Sequence, residues 1–348
     1  MHLLTSARRW SDGADICVVC PTGATPLVRE FLPTARLSTF RTFAPTHAPP
    51  LMAAEYLRRL VPAARAARRL GRVDVAIAGS HFVPDAAAVS GARARRRAGF
   101  VYHLSSSQGR PPGMRTALAL AGESMGVAWL RRTLDLAFVS NDVTITDPSG
   151  WQRVARTDVG IALPATPVPR PAEPRYACAF VARLVPTKGV RDLIRAFHLV
   201  ASTRPSARMA IVGTGPEADP ARALARQLGV ADRIDWLGFV TEEEKAEVLA
   251  ASQVFMFPSY EEGWGIALCE ALSVGTPVAC YDLPVYRGIF PEGLVTAPRG
   301  DWRALAARCA HLIDHPDEAM VLGLRGQADV SRYDVDHIAR RELDDLLG

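Results

Sequence analysis

The feature that most constrains this chain is an alternation. Short apolar runs of strand length are followed, again and again, by stretches of helix length, the pattern of parallel sheets with crossover helices. In the first half Ile16–Cys20, Val73–Ala78, Phe100–Leu104 and Leu136–Val139 are predicted as buried strands. Helices are predicted around Ala53–Leu70, Asp85–Arg97 and Met114–Leu134. The alternation breaks at LPATPVPRPAEP (Leu163–Pro174), where five prolines in twelve residues exclude regular structure and read as a semi-rigid linker. It then restarts with strand Ala177–Ala182 and a helix in which Val190, Leu193, Ile194, Phe197 and Val200 keep helical spacing. Further strands are predicted at Met209–Val212, Arg233–Leu237, Val254–Phe257 and Pro277–Tyr281, and helices at Pro220–Leu228, Glu242–Ala251 and Ile266–Val274. The expected fold is α/β, with two Rossmann-like domains whose parallel sheets face a central cleft, where ligands of such folds bind. The expected boundaries are 1–165, a linker at 166–175, a second domain at 176–330, and a C-terminal helix at 331–348 that packs back on the first domain.

Composition narrows the class. With 49% hydrophobic and 22% charged residues in 348, the chain can bury two cores and is not disordered. No apolar run approaches the ~18 residues of a membrane span. The start, MHLLTSARRW, has no apolar signal region, so a cytoplasmic protein is expected. Six scattered cysteines fit reduced core positions, Cys17 and Cys20 among them, and the eight histidines show no metal-ligand spacing. Residues 1–170 carry 22 arginines and no lysine against 11 acids, while the remainder is net −6. Such a basic first lobe suits an anionic acceptor or a membrane surface, and Arg65, Arg68, Arg69, Arg93, Arg95, Arg96 and Arg97 are expected on helix faces. Nucleic acid is not an expected partner, because the basic runs lack interleaved aromatics. Lys188 and Lys245 are the only lysines, beside 39 arginines, which suggests positions where a compact ammonium is wanted.

Four pieces of the second half can carry chemistry. FVARLVPTKG (Phe180–Gly189) delivers Arg183 and Lys188 at a strand end where a helix is about to start, a pairing suited to a diphosphate. IVGTGPEA (Ile211–Ala218) is a strand running into a turn at Gly213 and Gly215. It also satisfies a dinucleotide fingerprint, but Asp235 lies inside RIDWLG rather than closing a strand, which argues against NAD. In FPSYEEGWGIALCEALSVGTPV (Phe257–Val278) a strand ends at Pro258 and Ser259, and a helix starts near Ile266. The amides of Gly263, Trp264, Gly265 and Ile266 are then helix-start donors, with Glu262 at the mouth and Glu270 further along. WLGFV (Trp236–Val240) is a strand end whose main chain could read a base.

In this order the pieces resemble the donor-binding domain of retaining GT-B glycosyltransferases of family 4 (glycosyl transferases group 1), over about 110 residues. The quoted segments A-R-L-V-P-T-K-G, G-T-G-P-E, W-L-G-F-V and P-S-Y-E-E-G-W-G-I-A-L-C-E-A-L-S-V-G-T-P-V carry it. Ala182 replaces a usual glycine and Trp264 a usual phenylalanine. The resemblance implies transfer of a sugar from a nucleotide-diphosphate donor with retention, without metal or other cofactor. It implies that Arg183 and Lys188 hold the diphosphate, Glu270 the ribose, and Glu262 with the Gly263–Gly265 amides the sugar. Phe239 and Val240 would contact the base through their main chain, Gly213 and Gly215 would line the pocket, and Ser259 and Ile266 stand on the donor side. The acceptor is expected to be a small molecule or a lipid-linked or phosphorylated sugar, with peripheral membrane contact through the basic lobe. Asp334 and Asp336 read as solvated acids rather than metal ligands. A sugar-nucleotide epimerase of the same fold and a non-catalytic nucleotide-binding module are the alternatives.

The first lobe resembles the family more loosely. VYHLSSS (Val101–Ser107) makes His103 the candidate on the acceptor side, and a core histidine is the equal alternative. Leu3–Pro21 reads either as the end of a first helix followed by a second strand, the opening strand and glycine loop being missing, or as a first strand at Ile16–Cys20. In the second reading the next helix must be very short, because Pro33 follows Pro26 closely.

Overall fold

The computed structural model describes residues 2–42, 49–101, 113–139, 149–164 and 168–348. The chain forms two compact units, Met1–Gly160 with Val335–Gly348, and Ile161–Asp334.

Unit 1 opens with α1 (His2–Trp10), β1 (Cys17–Pro21), a short α2 (Thr25–Phe31) and β2 (Arg36–Phe40). It continues through α3 (Pro49–Arg69), β3 (Arg72–Ala78), α4 (Val83–Gly91), β4 (Arg93–Val101), α5 (Met114–Thr133), β5 (Leu136–Val139) and β6 (Val154–Arg156). Among the described residues β1 pairs only with β2, while β3-β4-β5-β6 form a separate sheet in sequence order, and every pairing is parallel. Trp10, Cys20, Val28, Phe100 and Phe138 form one core, completed by Ala339 and Leu346 of the chain's last helix, Val335–Leu347. Polar ties hold that helix: the Trp10 indole donates to the Ala339 carbonyl at 2.8 Å, and Thr157 donates to the buried Glu342 carboxylate at 2.5 Å.

The sequence expectation fails at Arg93–Arg97, which lie on β4 and not on a helix. Helix α4 stops at Gly91, and β4 begins seven residues before the expected strand at Phe100. Arginine is a good helix former, but β4 lies between β3 and β5 and pairs with both, so sheet pairing overrides local preference. The long side chains remain useful there: Arg96 reaches the carbonyls of Leu346 (2.8 Å) and Gly348 (3.1 Å).

Unit 2 runs β7 (Tyr176–Val181), α6 (Val190–Ser202), β8 (Met209–Val212), α7 (Ala218–Gln227), β9 (Ile234–Gly238), α8 (Glu242–Ala250) and β10 (Ser252–Phe257). Then follow α9 (Ile266–Ser273), β11 (Val278–Tyr281), α10 (Tyr286–Ile289), β12 (Leu294–Ala297), α11 (Trp302–Asp314) and α12 (Pro316–Val330). The last helix is α13. The six strands are parallel in the order β9-β8-β7-β10-β11-β12. That is the doubly wound order, and its direction reverses between β7 and β10. The five apolar residues expected to line one face of α6 are all buried. Phe180, Phe197, Phe255 and Phe257 are fully buried in the unit's core. Arg170, in the proline-rich stretch, is pinned to this unit by the Thr276 hydroxyl (2.6 Å) and the carbonyls of Ser252 and Val274. Among the described residues no helix is long and apolar enough to cross a membrane.

Candidate functional site

Adjacent parallel strands whose crossovers leave to opposite sides part their loops at the carboxyl ends, and ligands of open α/β sheets bind there. In unit 2 that place lies after β7 and β10, and the Arg183–Lys188 and Ser259–Ile266 segments follow those two strands.

Backbone contacts weld these segments together. A Cβ on Gly213 (φ +130) would stand 1.9 Å from the Ala182 carbonyl oxygen, and one on Gly215 would stand 2.3 Å from that of Leu184. Leu184 donates to Thr214 at 2.8 Å and accepts from Glu217 at 2.9 Å. The two glycines are thus required by the chain's own backbone around Arg183. Gly189 (φ +67) does the same on the other side, where a Cβ would fall 1.9 Å from the Pro258 oxygen. The Tyr260 amide closes the seam on the Thr187 carbonyl at 2.8 Å. Ser259, expected on the donor side, has a fully buried side chain whose hydroxyl bonds the carbonyls of Glu261 (3.1 Å) and Thr187 (3.3 Å). Its hydroxyl is committed to joining the loops.

The side chains differ sharply in state. Arg183 is exposed, and its guanidinium has no hydrogen bond or ion pair among the described residues. Lys188 is largely covered, with 17% of its side chain exposed, and pairs with the Glu262 carboxylate, itself 10% exposed. At the start of α9, Gly265 takes the left-handed conformation (φ +105), with the Tyr286 and Phe290 rings where a Cβ would point. The Trp264 indole is buried edge-on against Tyr333, leaving only its main chain for a ligand. The amides of Trp264, Gly265 and Ile266 make no hydrogen bond to described protein groups. Gly263 completes this loop. Free amides at a helix start attract an anion, and an unpaired guanidinium on the neighbouring loop adds to that field.

Glu270, one turn into α9, is mostly covered, and its Oε1 accepts from Lys245 of α8 at 2.8 Å. Burial raises its pKa from the ordinary carboxylate value, and the Lys245 ammonium opposes that rise. Phe239 follows β9 and is 91% exposed, with half-buried Val240 beside it. The Gly213 amide donates to the Gly238 carbonyl at 2.7 Å, which sets this strand end against the glycine turn. Asp235 is bound to Tyr176 and Arg208. His103 lies outside the described residues.

Two parts of the site received no role from sequence reasoning. Lys245 carried one signal, the rarity of lysine. The other is buried Asp192 of α6, whose carboxylate accepts from Tyr260 (2.5 Å), Tyr281 (2.8 Å) and Arg195 (3.1 Å) and braces the loop after β10. Among the described residues no group of three or more His, Cys, Asp or Glu could hold a metal ion.

The geometry can be set beside known proteins. Anabaena HepE, solved with UDP-glucose, superposes with a TM-score of 0.76 over 99% of this chain and 94% of its own, at 17% identity. Sucrose-phosphate synthase from Thermosynechococcus elongatus aligns at 0.68 over 88% and 82%, at 19% identity. The shared fold is α/β of the GT-B class. In sequence, a GDP-mannose-dependent monoacylated alpha-(1-6)-phosphatidylinositol monomannoside mannosyltransferase of Corynebacterium glutamicum is 30% identical over 246 residues, 63% of this chain and 61% of the relative. A 2-deoxystreptamine N-acetyl-D-glucosaminyltransferase of Streptomyces fradiae is 34% identical over 38% of this chain and 32% of its own. The chain thus matches between a third and three fifths of the length of these relatives. Residues 167–329, nearly all of unit 2, match the family model of glycosyl transferases group 1, and it is to that family that this segment is similar.

Proposed function

We propose that the protein is a glycosyltransferase that moves a sugar from a nucleoside-diphosphate donor to an acceptor, with retention at the anomeric carbon. The observation that carries this reading is that an Arg183 after β7 and three helix-start amides after β10, none of them with a partner among the described residues, stand on loops knit together at the sheet's reversal point. Guanidinium, amides and helix dipole supply the positive field a diphosphate needs, so no metal is required. Lys188 reaches the same anion while Glu262, its present partner, turns to the hydroxyls of the transferred sugar. Glu270 accepts from the ribose, and the main chain at Phe239 and Val240 meets the base.

In this reaction the bond from C1 to the β-phosphate oxygen breaks as the acceptor oxygen bonds to C1. The acceptor proton passes to the departing phosphate oxygen on the same face. No enzyme carboxylate acts as nucleophile, so the chain accelerates the step by positioning and by stabilising charge on the leaving group. The basic unit 1 holds the acceptor, a lipid-linked, phosphorylated or otherwise anionic molecule, and can rest on an anionic membrane surface. The relatives named above, a mannosyltransferase and an N-acetylglucosaminyltransferase, support transfer over epimerisation.

The test is an assay of UDP-, GDP-, ADP- and dTDP-sugars with and without EDTA. Transfer or slow hydrolysis of one donor, undiminished by EDTA and with retained configuration by NMR, is the expected result. Tight nucleotide binding without any turnover would instead fit a non-catalytic module.

A further inference from the structure

Lys245 is one of two lysines in a chain with 39 arginines, and each of the two meets a glutamate of the loop and helix after β10: Lys188 meets Glu262, and Lys245 meets Glu270. Its position is otherwise unfavourable. It sits in the first turn of α8, where the helix dipole disfavours a cation, behind three glutamates and a Thr241–Glu244 capping box. A lysine there with no partner to reach would extend into water. Lys245 is folded inward, 14% exposed, with its ammonium 2.7 Å from Glu242 and 2.8 Å from Glu270.

The geometry at Glu270 is one-sided. Oε1 takes the ammonium, and Oε2 has no partner among the described residues. An ammonium is a point donor and can hold one oxygen, whereas a guanidinium fork tends to take both oxygens of a carboxylate. We infer that Lys245 is a positioning residue of the donor site: it fixes the Glu270 carboxylate through one oxygen and presents the other to a nucleotide hydroxyl. The inference rests on the donor-site reading of Glu270 given above.

Electrostatics gives it a readout. Burial raises the Glu270 pKa, Lys245 lowers it, and Glu242 raises it, while Asp329 of α12 and Arg332, beyond it in the chain, act on the neighbouring Cys269. Removing Lys245 therefore moves the protonation of Glu270 to higher pH, and removing Glu242 moves it to lower pH.

The experiment titrates UDP, GDP, ADP and dTDP calorimetrically into wild type and the variants K245M, K245R, E242Q and E270Q, between about pH 5 and about pH 8. For the diphosphate that binds, K245M should weaken affinity about tenfold, the scale of losing a group that orients a binding side chain. Its loss of affinity on acidification should begin at higher pH than in wild type. K245R, which keeps the charge, should leave that acid limb in place, and E242Q should move it to lower pH. The Glu242 side chain is exposed, so E242Q should fold and read the effect even if K245M folds poorly. A K245M limb and affinity equal to wild type, or a limb unmoved in E242Q, overturns the inference. If E270Q binds as wild type does, or none of the four diphosphates binds wild type, the donor-site reading itself falls and the inference with it.

Discussion

Arg183 and Lys188 stand five residues apart and serve one proposed anion, yet their surroundings make them respond differently to mutation. R183A removes an exposed side chain with no partner among the described residues, so the melting temperature should barely move while turnover drops by ~10²–10³. K188A should lower turnover comparably, but it also leaves a covered Glu262 carboxylate unpaired, and should cost about 1–3 kcal/mol of stability. Thermal melts run alongside kinetics check both. Equal melting losses for the two variants would contradict the described difference between the cations. The sequence made both residues legible through spacing alone. It could not show that Lys188 is held by Glu262, 74 positions away, nor that the Ser259 hydroxyl is occupied within its own loop. Those are facts of approach between loops, which no local pattern records. The glycines show the same limit. Gly213 and Gly215 announced a tight turn, but the reason they lack a Cβ is the backbone of Ala182 and Leu184.

Elements succeed or fail as folding units according to what pairs with them. In unit 2 the predicted strands and helices agree with the structure to within two residues, because buried runs, glycine turns and one-sided apolar spacing all point the same way. In unit 1 the arginine-rich β4 reads locally as helix, and only its neighbours β3 and β5 make it a strand. The loop after β10 depends on a polar brace. Burial together with the hydrogen bond to Asp192 pushes the Tyr260 phenol up to about 12, and burial and the same carboxylate raise that of Tyr281 too. The folded state therefore favours the neutral phenols. The contribution of Tyr260 to stability is complete below pH 10, the ordinary value, and is lost as pH rises through about 12, while that of Tyr281 persists to higher pH. Wild type should lose resistance to urea across that window, and Y260F should lose it less steeply. Identical slopes would show that the brace does not titrate as described.

The two units of the molecule differ in how their sheets are closed. In unit 2 β7 joins the β8–β9 side to the β10–β12 side, whereas among the described residues of unit 1 the β1–β2 pair and the β3–β6 sheet share no hydrogen-bonded strand. A two-stranded sheet is marginal without such support. Amides of β1 and β2 should therefore exchange with deuterium well before those of β7 and β10, and equal protection would contradict this picture. In unit 2, Arg183, Lys188 and the amides at the start of α9 are proposed to hold a pyrophosphate together. The most direct measurement compares the affinity of a nucleoside diphosphate with that of the matching monophosphate, in wild type and in an R183A/K188A variant. Wild type should bind the diphosphate at least about tenfold more tightly, and the gap should vanish in the double variant. Equal affinity of wild type for the two nucleotides, or a gap that survives both substitutions, would contradict it.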